Sequence, residues 1–279
     1  MRFFTILLDD SLSISDYSLA LKEYDTAPVT LELTTASYLY IGFEKLFSSV
    51  FVELSSKSLA GSTLSAEYFD GTTWQALSIF DETNGLSKSG FINFVAPEDM
   101  AANTIDAKEK IYIRLKTDID TGAIGIKLID IMFSSDLDLT KIRENIVSKF
   151  ALNGTWIGKH IAARDHIIQV IRNKGNVKEV KKNEGLITEE ILYKDIDKFD
   201  FLDPSQLRVA ASYLALYFIF WYELSDEEGD KWQLKAAEML KLYEDAINAF
   251  FVALDFNDDG KQDAKEEAKS DAIRTIVTG

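Results

Sequence analysis

The hydrophobic pattern of this sequence changes its period once, near residue 136. Over residues 31–133 apolar and polar residues alternate in short runs, which is typical of strands with one buried face. After Ser134-Ser135-Asp136 the apolar residues recur every three or four positions, which is typical of helices. Because the two kinds of element follow one another without mixing, the sequence predicts an α+β protein of two domains.

The first domain, residues 1–135, is predicted to be an antiparallel β-sandwich of the jelly-roll type. Short strands cannot bury their apolar faces singly, so two sheets have to stack. A hairpin is predicted at Asp70-Gly71, because this pair tolerates the positive φ of a tight turn. Residues 1–8 lack the features of a signal peptide and are predicted to form the first strand. Further strands are predicted at residues 38–43, 50–54, 64–69, 73–77, 91–95, 111–115 and 126–133.

The second domain, residues 136–254, is predicted to be an antiparallel α-helical bundle. Isoleucines mark one stripe of a helix over residues 156–173, which Lys174-Gly175 ends. Asp203-Pro204 supplies an N-cap and a proline at the first helical position, so a helix is predicted to begin there and to end at Glu223. A last helix is predicted over residues 230–254. Short connections make these helices antiparallel neighbours.

Composition limits the partners of the chain. The apolar run over residues 209–222 is shorter than the roughly 20 residues of a membrane-spanning helix, so it is interpreted as a buried helix and no membrane partner is expected. The 46 acidic and 30 basic residues give a formal charge of −16, which repels phosphate backbones. Cysteine is absent from the sequence, which excludes disulfides, thiolate catalysis and cysteine-ligated metals.

The remaining segment, residues 255–279, opens with a calcium-loop motif and is predicted to continue as a helix or tail. The sequence between Asp255 and Glu266 matches the EF-hand pattern D-x-[DN]-x-[DN]-G-x5-E, with Gly260 at the sharp turn. We predict a structural Ca²⁺ ion; the alternative is a solvated acidic turn, because Gln262 replaces the usual aliphatic residue and no sister loop exists. The predicted ligands are Asp255, Asn257, Asp259, the Lys261 carbonyl, Asp263 and Glu266.

No catalytic signature is present, and the chain is predicted not to be an enzyme. The motifs of zinc hydrolases, serine hydrolases and phosphate-binding loops are missing from the sequence. His160 and His166 are six residues apart and point in different directions on a helix. Carboxylate pairs such as Glu67 with Asp70, or Asp81 with Glu82, would act on a glycoside only if a cleft joined them.

Two groups of residues are candidate binding surfaces, and each has a simpler interpretation. Trp74, Tyr68 and Tyr112 could form a platform for a sugar, but alternating strand aromatics more often belong to a core. A basic run lacks interleaved aromatic residues and is interpreted as a solvated loop, not a nucleic-acid contact. This run contains Lys174, Lys178, Lys181 and Lys182.

The helical half resembles the head-to-tail adaptor, or connector, proteins of the neck of tailed bacteriophages. The stretches that carry this resemblance are WIGKHIAARDHIIQVIRNKG, FDFLDPSQLRVAASYLALYFIFWYELS, and DKWQLKAAEMLKLYEDAINAF with the acidic LDFNDDGKQD after it. The β half resembles a segment of phage virion proteins through YIGFEKLF, AEYFDGTTWQAL and DETNGLSKSGFINF. A sandwich ahead of the adaptor helices departs from the minimal family pattern.

The resemblance implies a structural protein of the virion, made in the cytoplasm of the host bacterium. Its subunits would form a ring, commonly of twelve copies, between the portal protein and the next neck or tail protein. DNA would pass an acidic channel without specific binding. Two other interpretations stay open: a carbohydrate- or cell-surface-binding β-sandwich with a helical anchor, and a baseplate or tail component.

Overall fold

The computed structural model describes residues 2–59, 61–151, 154–174, 181–182, 185–186, 197–201, 203–224 and 230–248. Within these ranges the chain is a mixed α/β protein with two large antiparallel sheets and five helices. It divides into two compact units, of which the first ends at Ile131 and the second begins at Met132. This division lies close to the change of hydrophobic period.

The first unit contains the two large sheets, and every strand pairing in them is antiparallel. Its strands are β1 (Thr5–Asp9), β2 (Ile14–Asp16), β3 (Val29–Glu32), β4 (Tyr38–Phe43), β5 (Ser49–Ser56), β6 (Leu64–Phe69), β7 (Trp74–Leu77), β8 (Ile79–Asp81), β9 (Gly90–Phe94), β10 (Ala102–Ile105), β11 (Lys108–Thr117) and β12 (Ala123–Asp130). The seven-stranded sheet has the order β2-β1-β4-β11-β6-β7, with β10 also paired to β11. The five-stranded sheet has the order β3-β12-β5-β9-β8.

Strand β11 organises the seven-stranded sheet. One of its edges pairs with β4, and the other is shared by β10 and β6. The register places Tyr112 opposite Gly42, and Arg114 opposite both Tyr40 and Glu67. Since directly paired residues project from the same face of a sheet, these side chains lie together on one face. The residues between them, such as Ile113, project from the opposite face and are buried.

Several predicted strands agree closely with the structure. The ranges 38–43 and 64–69 coincide with β4 and β6, and the other predicted strands overlap β1, β5, β7, β9, β11 and β12. The Asp70-Gly71 hairpin is present: Gly71 has φ +94°, and Asp70 accepts hydrogen bonds from the amides of Thr72 at 2.8 Å and Thr73 at 2.7 Å. Strands β2, β3, β8 and β10, each of three or four residues, were not predicted.

The second unit holds the five helices α1 (Asp136–Ile142), α2 (Ile146–Phe150), α3 (Ile157–Lys174), α4 (Arg208–Phe218) and α5 (Asp230–Asn248). A short ribbon joins β13 (Lys181–Lys182) to β14 (Gly185–Leu186). Helix α4 contacts α1, α3 and α5. Its buried residues include Ala210, Ala211 and Ala215, and these small side chains let neighbouring helices approach closely. Helix α4 is therefore the centre of this unit.

The Asp203-Pro204 start signal is confirmed, although the first turn differs from a regular α-helix. The Asp203 carboxylate accepts the Ser205 amide at 2.9 Å, and a 3-10 turn over Pro204–Leu207 precedes α4. A π-helical turn over Ile219–Glu223 then extends α4 to the predicted end. None of the helices in the described residues is both long and apolar enough to cross a bilayer.

Candidate interaction surfaces

The predicted calcium ligands Asp255, Asn257, Asp259, Lys261, Asp263 and Glu266 all lie outside the described residues. In the part of the chain that the structure does describe, no group of three or more histidine, aspartate or glutamate side chains could hold a metal ion. Calcium binding therefore stays a prediction. Of the basic run, Lys178 lies outside the described residues as well, and only the backbone of Lys174, Lys181 and Lys182 is described.

A buried polar junction, not anticipated from the sequence, lies at the start of α1. The Ser134 hydroxyl is 2.7 Å from His160 Nδ1, and His160 Nε2 is 3.1 Å from a carboxylate oxygen of Asp136. An imidazole with its hydrogen on Nε2 satisfies both contacts: it donates to Asp136 and accepts from Ser134. Asp136 also accepts the backbone amide of Trp156 at 3.0 Å, just before α3 begins.

These residue types are those of a serine-hydrolase triad, but their burial assigns them a structural role. Ser134 has no exposed surface and His160 is 1% exposed, so a substrate cannot reach the hydroxyl. Asp136 instead caps the amino end of α3, because it accepts the first free amide there. Burial acts to raise the pKa of Asp136, but the hydrogen bonds from His160, Thr155 and the Trp156 amide outweigh burial and lower it.

Two residues further along, Asp138 ties α1 to α4. Its carboxylate accepts the amide of Ser135 at 3.0 Å and the Ser135 hydroxyl at 2.9 Å, which closes a capping box. It also accepts Arg208 Nε at 2.7 Å. The segment from Ser134 to Asp138 thus fixes the start of α1 against both α3 and α4.

The two histidines are separate, as their spacing predicted. The His166 ring lies against Phe218 and Tyr243, with ring centroids 6.0 and 6.4 Å apart. Partial loss of solvent at this position lowers the pKa of His166. The two imidazoles therefore have different neighbours and do not form a shared site.

One face of the seven-stranded sheet carries a cluster that we call the aromatic–arginine face, formed by Tyr38, Tyr40, Trp74, Tyr112 and Arg114. The Arg114 guanidinium carbon is 4.1 Å from the ring centroid of Tyr38 and 4.4 Å from that of Trp74. The Tyr40 ring packs edge-on against Trp74 at 5.7 Å and against Tyr112 at 6.2 Å. Cation–π contacts of this kind fix the guanidinium in place. Arg114 also forms an ion pair with Glu67 across the strands.

Gly42 makes this cluster possible, because the Tyr112 ring lies directly over it. A Cβ atom at Gly42 would be 2.2 Å from the nearest ring carbon of Tyr112. Tyr112 is fully buried, and its hydroxyl donates to the Lys108 carbonyl at 3.2 Å. Burial raises the pKa of Tyr112 to about 12.

The structure separates the three aromatic residues of the candidate sugar platform. Trp74 and Tyr112 lie on the aromatic–arginine face, whereas Tyr68 pairs with Ile113 and therefore projects from the other face. The Tyr68 hydroxyl donates to Asp99 at 3.1 Å. Arg114 was not predicted to belong to this surface. The sequence does contain an indication of it, since one face of β11 is formed by the alternating residues Lys108, Lys110, Tyr112, Arg114 and Lys116.

Three carboxylates of the two candidate pairs have partners in a paired strand or in their own turns. Glu67 is paired with Arg114, whereas the Asp70 carboxylate accepts hydrogen bonds within its own turn, and these lower the pKa of Asp70. Asp81 likewise accepts the amides of Thr83 at 2.7 Å and Gly85 at 2.8 Å. Each of these carboxylates serves the local fold.

A second surface, which we call the α4 aromatic surface, is formed by Tyr217, Phe218, Trp221 and Tyr222. Tyr217 stacks on Trp221 with centroids 6.3 Å apart, and Phe218 lies 6.0 Å from Tyr222. Both pairs join residues four apart, which are neighbours on a helix surface. Trp221 is 43% exposed and Tyr222 is 62% exposed. The π-helical turn that presents them is a feature enriched at functional sites.

No family model, curated protein or solved structure significantly matches this chain.

Proposed function

We propose that this chain is a structural virion protein, a head-to-tail adaptor that forms a ring between the portal and the tail in the neck of a tailed bacteriophage. The proposal joins the sequence resemblance of the helical half to one observation, the α4 aromatic surface. Its partners are other copies of itself, the portal protein and the next neck or tail protein. The chain is not an enzyme in this proposal.

The α4 aromatic surface supports an assembly contact. Exposed Trp and Tyr side chains are enriched in the energetic centres of protein interfaces, because they bury much apolar area while keeping a polar group at the rim. Trp221 and Tyr222 are adjacent and both substantially exposed. In α5, Leu234 is 71% exposed and gives the same unit another apolar side chain that a neighbour can cover.

The proposal includes a specific architecture for each unit. We propose that the two sheets stack as a jelly-roll-like sandwich, supported by an aromatic series that leads from one sheet to the other. Phe43 of the seven-stranded sheet contacts Phe4 at 5.7 Å, Phe4 contacts Phe47 at 5.2 Å, and Phe47 contacts Phe94 of the five-stranded sheet at 5.4 Å. The helices form an antiparallel bundle around α4, supported by its contacts with α3 and α5.

Charge and calcium complete the proposal. The formal charge of −16 favours DNA passage without adhesion, since like charges repel across a channel. The ring, commonly of twelve copies, would be localised in the virion after synthesis in the host cytoplasm. A Ca²⁺ ion at Asp255–Glu266 would fix the angle of the C-terminal segment as a structural ion.

The proposal is tested by mixing the full chain with the purified portal ring encoded in the same genome and imaging the mixture by electron microscopy. We expect a second ring of density on the portal, with one copy of this chain per portal subunit. The portal is needed because adaptors of this type assemble on it as a template. Absence of any binding to the portal ring would refute the adaptor function.

A matched pair of variants assigns the contact. The double substitution Trp221→Ser with Tyr222→Ser removes the exposed aromatic rings and is expected to abolish ring formation. Leu12→Ser is the control, because it removes an apolar side chain that is 95% exposed in the other unit. If both variants form the ring equally well, the α4 aromatic surface is not the contact. That result would not contradict binding of the chain to the portal.

A further inference from the structure

Strand β11 presents a row of cations on one face of an acidic protein. The residues that alternate onto this face are Lys108, Lys110, Tyr112, Arg114 and Lys116. Four positive charges in one row would normally indicate a site for a polyanion. The neighbours of these cations lead to a different conclusion.

Three of the four cations are matched by carboxylates. Lys108 contacts Asp16 at 2.7 Å, Lys110 contacts Glu44 at 3.0 Å, and Arg114 is paired with Glu67. A nucleic acid or an acidic polysaccharide would have to compete with these carboxylates, which remain fixed to the sheet and would repel it. The row therefore offers many hydrogen-bond donors and acceptors with little net charge.

The accessible end of this row also carries aromatic rings. Tyr38, Phe69 and Trp74 are all half-buried, so each residue keeps part of its surface in solvent. The ring centroids of Trp74 and Phe69 are 5.7 Å apart, and Lys116 Nζ lies 5.4 Å from the ring centroid of Tyr38. Cation–π contacts and the ion pair with Glu67 hold Arg114 between Tyr38 and Trp74, which orders this region before any ligand arrives.

We infer that this end of the aromatic–arginine face binds an uncharged glycan chain. The apolar face of a pyranose ring can cover the exposed part of Trp74 or Tyr38. Its hydroxyl groups both donate and accept, so they can donate to the Glu67 carboxylate and accept from the Arg114 guanidinium. This pairing of planar polar groups with aromatic rings complements a neutral polyhydroxylated ligand. The inference stands on the first unit alone and does not depend on the adaptor proposal.

The test uses the full chain on an array of neutral oligosaccharides containing glucose, galactose, mannose and N-acetylhexosamines. Affinity electrophoresis in gels containing β-glucan or galactomannan follows, with alginate gels and a single-stranded DNA oligonucleotide as charged probes. We expect binding to at least one neutral glycan and to neither charged probe. Trp74→Ala and Glu67→Gln should each weaken binding about tenfold or more.

Phe80→Ala is the matched control, because Phe80 is an aromatic residue of the five-stranded sheet that is 65% exposed. It should bind as the unsubstituted chain does. Circular dichroism and thermal melting show whether Trp74→Ala folds. If it does not fold, Trp74→Phe and Glu67→Gln are compared instead, and Trp74→Phe should retain most of the affinity. The inference is overturned if no neutral glycan binds, if only alginate or DNA binds, or if folded Trp74 and Glu67 variants bind normally.

Discussion

His160 Nε2 lies 3.1 Å from a carboxylate oxygen of Asp136 and its Nδ1 lies 2.7 Å from the Ser134 hydroxyl, so one buried side chain links the start of α1 to the first turn of α3. Removal of His160 takes this partner from both Ser134 and Asp136, whereas removal of Ser134 or of Asp136 leaves one ring nitrogen of His160 without its partner. Buried polar groups without a partner are costly, so the junction is expected to be a main determinant of the stability of the helical unit.

A double-mutant cycle measures this coupling. We expect Asp136→Ala and His160→Ala each to lower the free energy of unfolding by about 2–3 kcal/mol, because each leaves buried polar atoms unpaired. The double variant should cost less than the sum by about 1–2 kcal/mol. Urea unfolding provides the measurement. Glu238→Ala, at an exposed ion pair with Arg143, is the control and should change stability by less than about 1 kcal/mol. Strict additivity in the cycle would show that the two residues act independently.

The same aspartate predicts a pH dependence. Hydrogen bonds lower the pKa of Asp136 in the folded state, so between that value and the unfolded pKa of about 3.9 the unfolded chain binds more protons. The contribution of Asp136 is therefore fully present above pH ~4 and is lost as pH falls through the folded pKa. Asp136→Asn cannot titrate, so its stability deficit relative to the unsubstituted chain should shrink on acidification. Urea unfolding between neutral and acidic pH tests this; a deficit independent of pH would exclude a lowered pKa.

Gly42 is predicted to be intolerant of even one methyl group. In Gly42→Ala the new Cβ would meet the buried Tyr112 ring at 2.2 Å, which forces the ring or the strand to move. We expect a loss of about 1–3 kcal/mol in thermal or urea unfolding. Gly158→Ala is the control, because no atom lies within 4 Å of the added Cβ in α3, and it should be neutral or slightly stabilising. Equal effects of the two substitutions would contradict the packing of Tyr112 over Gly42.

The calcium prediction is tested separately. Titration calorimetry of the full chain with Ca²⁺ up to millimolar concentration should show binding at one site, and Ca²⁺ should raise the melting temperature. Asp255→Ala removes the first ligand of the motif and should abolish both effects. If the chain shows no heat of binding and its melting temperature is insensitive to Ca²⁺, the motif is a solvated acidic turn.

Local pattern predicted much of the fold, since β4, β6 and α3 each carry enough residues for a period to be distinct. The buried polar junction could not be predicted, because its residues are far apart in the sequence. Ser134 and Asp136 precede His160 by 26 and 24 residues and meet it only after α1 and α3 pack. For Tyr68 and Tyr112 the sequence favours a place in the core, and both are buried, but only the register of β6 with β11 shows that they lie on opposite faces of the sheet. The exposure of Trp221 could not be predicted, because the run over residues 209–222 is apolar almost throughout. Such a run does not show which side the neighbouring helices cover.

The most direct test of the adaptor proposal replaces Tyr222 with the photo-cross-linker p-benzoylphenylalanine in the full chain, mixes the variant with the portal ring and illuminates the complex. We predict covalent adducts between copies of this chain or between this chain and the portal, because Tyr222 lies on the proposed contact. The same cross-linker at Phe80, on the other unit, serves as the comparison. Recovery of a portal-bound ring in which Tyr222 gives no more adduct than Phe80 would contradict the claim that the α4 aromatic surface assembles the ring.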